Sequence, residues 1–458
     1  MNGPVDVGIA AAGAALLGAA VAWRTTARRG ARSAMAHALV SPSPSARMAA
    51  LRMVAAEGVA PFSHLLRQRS AVETDPEVRR LLAEVIAQSQ WEPSADEILV
   101  ELRLWAHREL EAEATAETAR AAEPPAAGRA SRLGSVSWWE RAPAAEHPEV
   151  VLVTGAGGPA GVAVIRWLRA AGHRVVAVDA DAGAVGLRLA DGAAVVQRAE
   201  EEGYAASLAA AARAAGATVL VPTVAEELLA LAAARPELDA VGLRSWLPEP
   251  DAVLDCIDKW RFAKVAQASK VASPATNLGS ADGVEGPWVV KPRFGRGSRD
   301  VVVADDATAL AYALERVPDP IVQTRLTGRE FTADALVGRD GFVAGVVPRW
   351  RLETRGGIST RGETFADPGL VVDVAELLAA LRLEGPANVQ GFIGADGVPR
   401  FTEVNPRFSG GLPLSLAAGA DLPGEYVKAV GGTAIDPARL AYRSGVVMMR
   451  FFEDVFEG

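Results

Sequence analysis

Histidine is scarce in this chain and then stops. The five are His37, His64, His107, His147 and His173, with none beyond. That gap excludes a histidine acid, base or metal ligand from everything after His173. The first three follow no metal-ligating spacing and read as surface or satisfied helix residues. Cysteine is rarer still: Cys256 stands alone, so no internal disulfide forms and nothing points to an oxidising compartment. It reads as a buried apolar residue. A surplus of positive charge is missing too, and a net charge of -9 argues against a general nucleic-acid binder. What is left for chemistry is lysine, arginine, carboxylate and a divalent ion. Phosphoryl transfer suits that set, because it asks mainly for in-line positioning and charge neutralisation.

With 458 residues, 50% hydrophobic and 22% charged, the chain is long enough for several independent cores. Val7 to Trp23 carries no charge and is followed by Arg24, Arg28, Arg29 and Arg32. At 1.5 Å rise per residue it reaches about 25 Å, close to the lower limit for crossing a bilayer. Residues 1–32 are therefore expected to be a single-pass membrane anchor with a basic flank, the alternative being an alanine-rich helix packed on a soluble cytoplasmic protein. The arginines come after the run, so everything beyond it is expected at the cytoplasmic face of the membrane. Residues 33–118 read as helices. Pro44-Ser45-Ala46-Arg47 and Pro76-Glu77-Val78-Arg79 each start a helix on proline, 32 residues apart. That resembles the HEAT helical repeat and would make a docking module for a protein partner. Residues 119–148 shift to Ala, Glu, Pro and Gly and read as a linker whose end is pinned to a folded surface by Trp138-Trp139.

Residues 149–248 open with Val150 to Val153, a buried strand feeding the glycine turn Gly155-Ala156-Gly157-Gly158, then a helix. A second strand, Arg174 to Val178, ends in Asp179. A dinucleotide-binding reading must therefore be weighed. Dehydrogenase or epimerase chemistry of the short-chain kind would also need a Tyr-x-x-x-Lys pair. Tyr204, Tyr312, Tyr426 and Tyr442 all lack that lysine.

Residues 249–458 carry the most informative stretch, Asn388 to Phe408. It reads as a strand, a turn at Ala395-Asp396-Gly397, and a returning strand through Glu403-Val404-Asn405-Pro406-Arg407. Antiparallel pairing puts Gln390, Glu403 and Asn405 on one face, where their oxygens can hold a hard cation against phosphate.

That hairpin resembles the metal-binding end of the ATP-grasp superfamily, with the closest likeness to a single synthetase unit of the carbamoyl-phosphate synthase large subunit. The resemblance extends from about Glu149 to the C-terminus. It implies an α/β chain: α+β ATP-grasp lobes after a Rossmann-like domain, behind an N-terminal all-α region and the candidate transmembrane helix. Asp258-Lys259 matches the pair that opens the nucleotide domain, and Lys291, after a buried strand, matches the second phosphate-binding lysine. Arg293, Gly295, Gly297 and Ser298 lie in the glycine loop that closes over phosphates. Arg296 and Arg299 of the same loop would add phosphate contacts. Gln323 and Thr324 stand where the hinge between the lobes, 321–324, would take adenine, and Glu330 where the ribose hydroxyls would bind. Gln390, Glu403 and Asn405 would hold Mg2+, with Mn2+ as the alternative ion. Lys291 and Arg407 would be catalytic, Arg407 steadying the transferring group. Arg349, Arg351 and Arg355 could receive an acidic co-substrate.

The implied activity is an ATP- and Mg-dependent carboxylate-amine ligase that passes through an acylphosphate and releases ADP and phosphate, with a small carboxylate and an amine or ammonia as substrates. Because only one ATP-grasp unit is present, carbamoyl phosphate is not the expected product. The alternative is a membrane-tethered nucleotide-binding scaffold without turnover.

Overall fold

In a computed structural model of the protein, the residues described are 35–88, 137–295 and 299–457, together with 32, 102, 105, 106, 109 and 297. They fall into two compact units. The first holds the described residues up to Glu109 with Asp367–Val372, and the second holds the rest.

In the first unit, helices Pro44–Glu57, Ser63–Val72 and Pro76–Gln88 form, with proline in the first turn of the outer two. The two proline-led helices pack on each other. Arg47 is buried and gives Glu73 two hydrogen bonds, of 2.9 and 3.0 Å. A HEAT array gains no support beyond this helix pair. The expected membrane anchor is corrected: among the described residues no helix is long and apolar enough to cross a membrane. Residues 7–23 lie outside the described residues, and the expected membrane localisation loses its support with the anchor.

The second unit contains three sheets. The first is parallel, in the order β3-β2-β1-β4, from β1 (Val150–Val153), β2 (Arg174–Asp179), β3 (Gly192–Val195) and β4 (Val219–Val221). The near-continuous Val and Leu of β1 and β4 suit strands covered on both faces. At the end of β1, Gly155 has φ +60° and the helix Pro159–Ala170 passes so close that a Cβ on Gly161 would collide with the carbonyl of Gly155. The second sheet runs β5-β8-β6-β7, from β5 (Thr276–Leu278), β6 (Trp288–Pro292), β7 (Val302–Ala304) and β8 (Pro320–Thr324), all antiparallel. The third runs β13-β12-β9-β10-β11-β14, also antiparallel, from β9 (Arg329–Val337), β10 (Val343–Arg355), β11 (Ile358–Thr364), β12 (Gly385–Ile393), β13 (Pro399–Asn405) and β14 (Val447–Met449).

Only residues 325–328 join the second sheet to the third, so a cleft between two lobes is built into the connectivity. The Rossmann-like part and the larger lobe are joined by buried side chains. Trp167 Nε1 donates to Asp421 at 2.6 Å, and the Tyr426 hydroxyl donates to the Trp246 carbonyl at 3.0 Å while its ring stacks on that tryptophan. Trp138 stacks on Trp167 and Arg166 lies over Trp139, which pins the start of this unit at the tryptophan pair.

Candidate nucleotide and metal site

The period of two along β9, β10, β12 and β13 sorts side chains onto two faces. Phe331, Ala333, Val389, Phe401 and Val404 are buried, with Phe331 and Phe401 in edge-to-face contact. The other face carries Glu330, Thr332, Asp334, Arg349, Arg351, Asn388, Gln390, Glu403 and Asn405. Gln390 stands directly across from Glu403, and Asn388 from Asn405. Asn405 Nδ2 donates to Glu403 Oε1 at 2.9 Å. The turn between the strands contains Gly397 at φ +71°.

The lysines approach from the smaller lobe. Lys291, on β6, and Lys259, at the start of the helix Lys259–Ala268, are 8% and 7% exposed, and both lie in the electrostatic field of Glu403. Burial pushes the Lys291 ammonium down to about 8; Glu403 opposes this shift and Lys259 reinforces it. Burial lowers Lys259 as well, against the pull of Glu403. Burial alone would raise Glu403, but Lys291, the Asn405 hydrogen bond, Lys259 and Arg407 outweigh it and keep the carboxylate below its ordinary range. Two buried cations thus face one acidic oxygen pair, an arrangement that favours added negative charge.

The glycine loop is anchored at its base. Asp258 accepts from the Trp260 and Arg261 amides at the start of its helix, and takes Arg293 through two bonds of 2.9 and 2.6 Å. Arg293 is therefore engaged with Asp258, and its side chain holds the loop's entry. Lys259 Nζ reaches the Gly295 carbonyl at 2.9 Å. Gly297 has φ +68° and lies against Gly356 and Gly357 at the tip of the β10–β11 hairpin. Ser298 and Arg296 lie outside the described residues.

Gln323 sits in the middle of its sheet, 4% exposed, with Nε2 donating to the Thr276 hydroxyl at 2.9 Å. The Thr324 amide donates to Ala275 O and the Arg325 amide to Pro287 O. Those two amide donors, at and just after the expected hinge, are therefore already in use. Glu330 is raised by burial, with Arg351 opposing and Glu403 adding to the rise.

Arg351 is a partner that strand periodicity alone did not assign. Its Nη1 donates to Glu330 Oε1 and Gln390 Oε1, both at 2.8 Å, and its Nη2 to Gly357 O. Arg349, Arg351 and Arg355 do not converge: Arg349 is buried on Asp334, and Arg355 is exposed beside Glu353. Arg407 donates to Phe408 O at 2.8 Å and lies 3.5 Å from Asn405 Oδ1.

For a divalent ion, Glu403 and Asn405 supply hard oxygens side by side, whereas Gln390 Oε1 is held by Arg351. No group of three or more His, Cys, Asp or Glu side chains among the described residues is placed to hold a metal. Glu403 and Asn405 are thus the side-by-side oxygen donors that the hairpin itself offers, and oxygen is the donor type a hard cation takes. At the glycine turn of the Rossmann-like part, the Gly157 amide donates to Asp179 Oδ2 at 2.8 Å. The carboxylate a dinucleotide site would offer to a ribose is therefore turned onto the turn itself. Cys256 is buried, and burial raises its thiol far above its ordinary range.

Residues 316–451 match the family described as ATP-grasp in the biosynthetic pathway with Ter operon. No curated relative matches the chain in sequence. Several solved structures share its fold. The biotin carboxylase domain of 2-oxoglutarate carboxylase from Hydrogenobacter thermophilus, in complex with MgADP, ADP and bicarbonate, is 16% identical with a TM-score of 0.52, covering 63% of this chain and 71% of that one. N5-carboxyaminoimidazole synthetase from Staphylococcus aureus, complexed with ADP, is 16% identical with a TM-score of 0.51, covering 62% and 78%. L-amino acid ligase from Bacillus licheniformis is 17% identical with a TM-score of 0.50, covering 62% and 75%. Magnesium is named among these ligands, and nothing here supports Mn2+. Residues 316–451 thus match an ATP-grasp family, and the likeness to these structures extends the shared fold to more than half of the chain.

Proposed function

We propose that the protein is an ATP- and Mg-dependent ligase that joins a carboxylate to an amine or ammonia through an acylphosphate, releasing ADP and phosphate. The observation that carries this reading is the opposition of two buried lysines, Lys259 and Lys291, to Glu403 and Asn405 across the cleft between the lobes. Solved proteins of the same fold include a ligase, a synthetase and a carboxylase domain, which is the company such an activity would keep.

Lys259 and Lys291 would take the phosphates, and the glycine loop based on Asp258 and Arg293 would cover them and exclude water. Glu403 and Asn405, with Gln390 once Arg351 moves aside, would hold Mg2+, which when bound neutralises charge on phosphate oxygens. Arg407 would steady the transferring group. Glu330 would turn from Arg351 to the ribose hydroxyls. Full-length protein is to be supplied with ATP, Mg2+ and pools of carboxylates and amines, and release of ADP and phosphate measured. Release that needs an acid, and falls at least a hundredfold in Glu403→Gln, is the expected result. Release indifferent to every acid would instead make the protein a nucleotide-driven switch.

A further inference from the structure

Past Arg407 the polar face continues into a second cationic site. Arg349, 1% exposed on β10, gives Nη2 to Asp334 Oδ1 at 2.8 Å and to the Ser409 hydroxyl at 3.0 Å. Its guanidinium lies against Gly411, where any Cβ would collide with Nη1. Asp334 takes two further donors: Asn388 Nδ2 at the same oxygen, at 3.0 Å, and the Ser415 hydroxyl at the other, at 2.6 Å. A second guanidinium, Arg450, reaches the same loop and donates to the Gly410 carbonyl. Among the described residues Arg450 has no carboxylate partner. The Nε atoms of both arginines are buried without a hydrogen-bond acceptor. Burial, and then the neighbouring Arg349, push Arg450 below its ordinary range.

Arg349 thus shares Asp334 with two other donors, and the neighbouring Arg450 has no carboxylate at all among the described residues, a costly arrangement unless an anion completes it. The place suits a substrate. Ser409 to Gly411 begins two residues after Arg407, and Gly410 faces Pro159 at the glycine turn of the Rossmann-like part. The segment carrying Arg450 is fixed on both sides. Its amide donates to Thr360 O, and the residues after it are tied to the Rossmann-like part by Glu453–Arg166 at 2.7 Å and Glu457–Arg188 at 2.8 Å.

We propose that Arg450, backed by Arg349, receives a carboxylate on the non-nucleotide substrate, distinct from the carboxyl group that is phosphorylated. This rests on the ligase reading above and names its substrate class: a dicarboxylic acid, or an amine co-substrate that carries a carboxylate, as an amino acid does. Guanidinium suits the role because it pairs with carboxylate through two parallel hydrogen bonds.

The test uses the full chain with MgADP, whose own binding is measured first by calorimetry. Absence of MgADP binding would sink the ligase reading itself, whereas its presence leaves the following comparisons to judge this proposal alone. Glutarate is compared with butyrate, and L-alanine with its methyl ester. At least a tenfold preference for the added carboxylate in one pair is expected, and which pair shows it tells acid from amine. Arg450→Gln should erase that preference while Arg450→Lys keeps part of it, both with MgADP affinity read alongside. No preference in either pair, or one that survives Arg450→Gln, overturns the proposal.

Discussion

Lys291 carries the sharpest consequence at the scale of single residues. Its folded pKa of about 8 lies below the unfolded value near 10.4, so the unfolded chain binds more protons in that window. Stability of the ligand-free protein should therefore rise as pH climbs from about 8 to 10. Nucleotide binding should behave in the opposite way, because phosphate wants the ammonium form. We expect MgADP affinity to fall by about tenfold per pH unit above pH 8, with proton uptake on binding that appears as a buffer-dependent calorimetric enthalpy. A flat affinity from pH 7 to 9.5 would mean that Lys291 is not a phosphate ligand. The pairing around this lysine was partly legible beforehand. Alternation along 388–408 puts Gln390, Glu403 and Asn405 on one face, and the structure adds the register that sets Gln390 opposite Glu403. The engagements of Arg293 with Asp258 and of Arg351 with Glu330 and Gln390 were not legible. Their partners lie 21 to 39 residues away in sequence, and local periodicity carries no information at that range.

Among the elements, the β10–β11 hairpin matters most for access to the cleft. Gly357 has φ +76°, and a Cβ there would lie 2.9 Å from Gly297 Cα in the glycine loop. Arg351 holds the tip through Gly357 O. Gly357→Ala brings both a left-handed strain of about 1–2 kcal/mol and a clash with the loop. Its MgADP affinity should drop by roughly tenfold while the melting temperature falls only a few degrees, since the tip lies outside the cores. Equal affinity in the variant would show that the tip and loop do not close together. Strand order in the larger lobe was beyond the reach of sequence, because β14 and β13 occupy opposite edges although both come late in the chain. The hydrophobic run at 7–23, outside the described residues, is a separate case. Uncharged length is a necessary property of a membrane span and is shared by alanine-rich segments that bury little apolar area.

At the scale of the whole second unit, the parts differ in mass of core. The smaller lobe is organised around seven buried residues, Val290 and Val322 among them, whereas the Rossmann-like core gathers seventeen. The latter is also joined to the larger lobe through Trp167, Trp246, Asp421 and Tyr426. We expect the light lobe, on a four-residue link beside a heavy, braced body, to be the part that moves. Hydrogen exchange should therefore slow on MgADP binding in 276–324 and at the hairpin tip, with little change in 150–178. Uniform protection throughout would instead indicate a rigid unit with no lobe closure.

The lowered pKa of Lys291 has a practical side. At neutral pH roughly one molecule in ten would present this side chain as an uncharged amine, which is a nucleophile, beside Glu403 and Lys259. An amine-reactive ester directed there by an attached adenosine should acylate that position ahead of surface lysines. Mass spectrometry would then report occupancy of the cleft by loss of the tag, without any knowledge of the natural acid or amine.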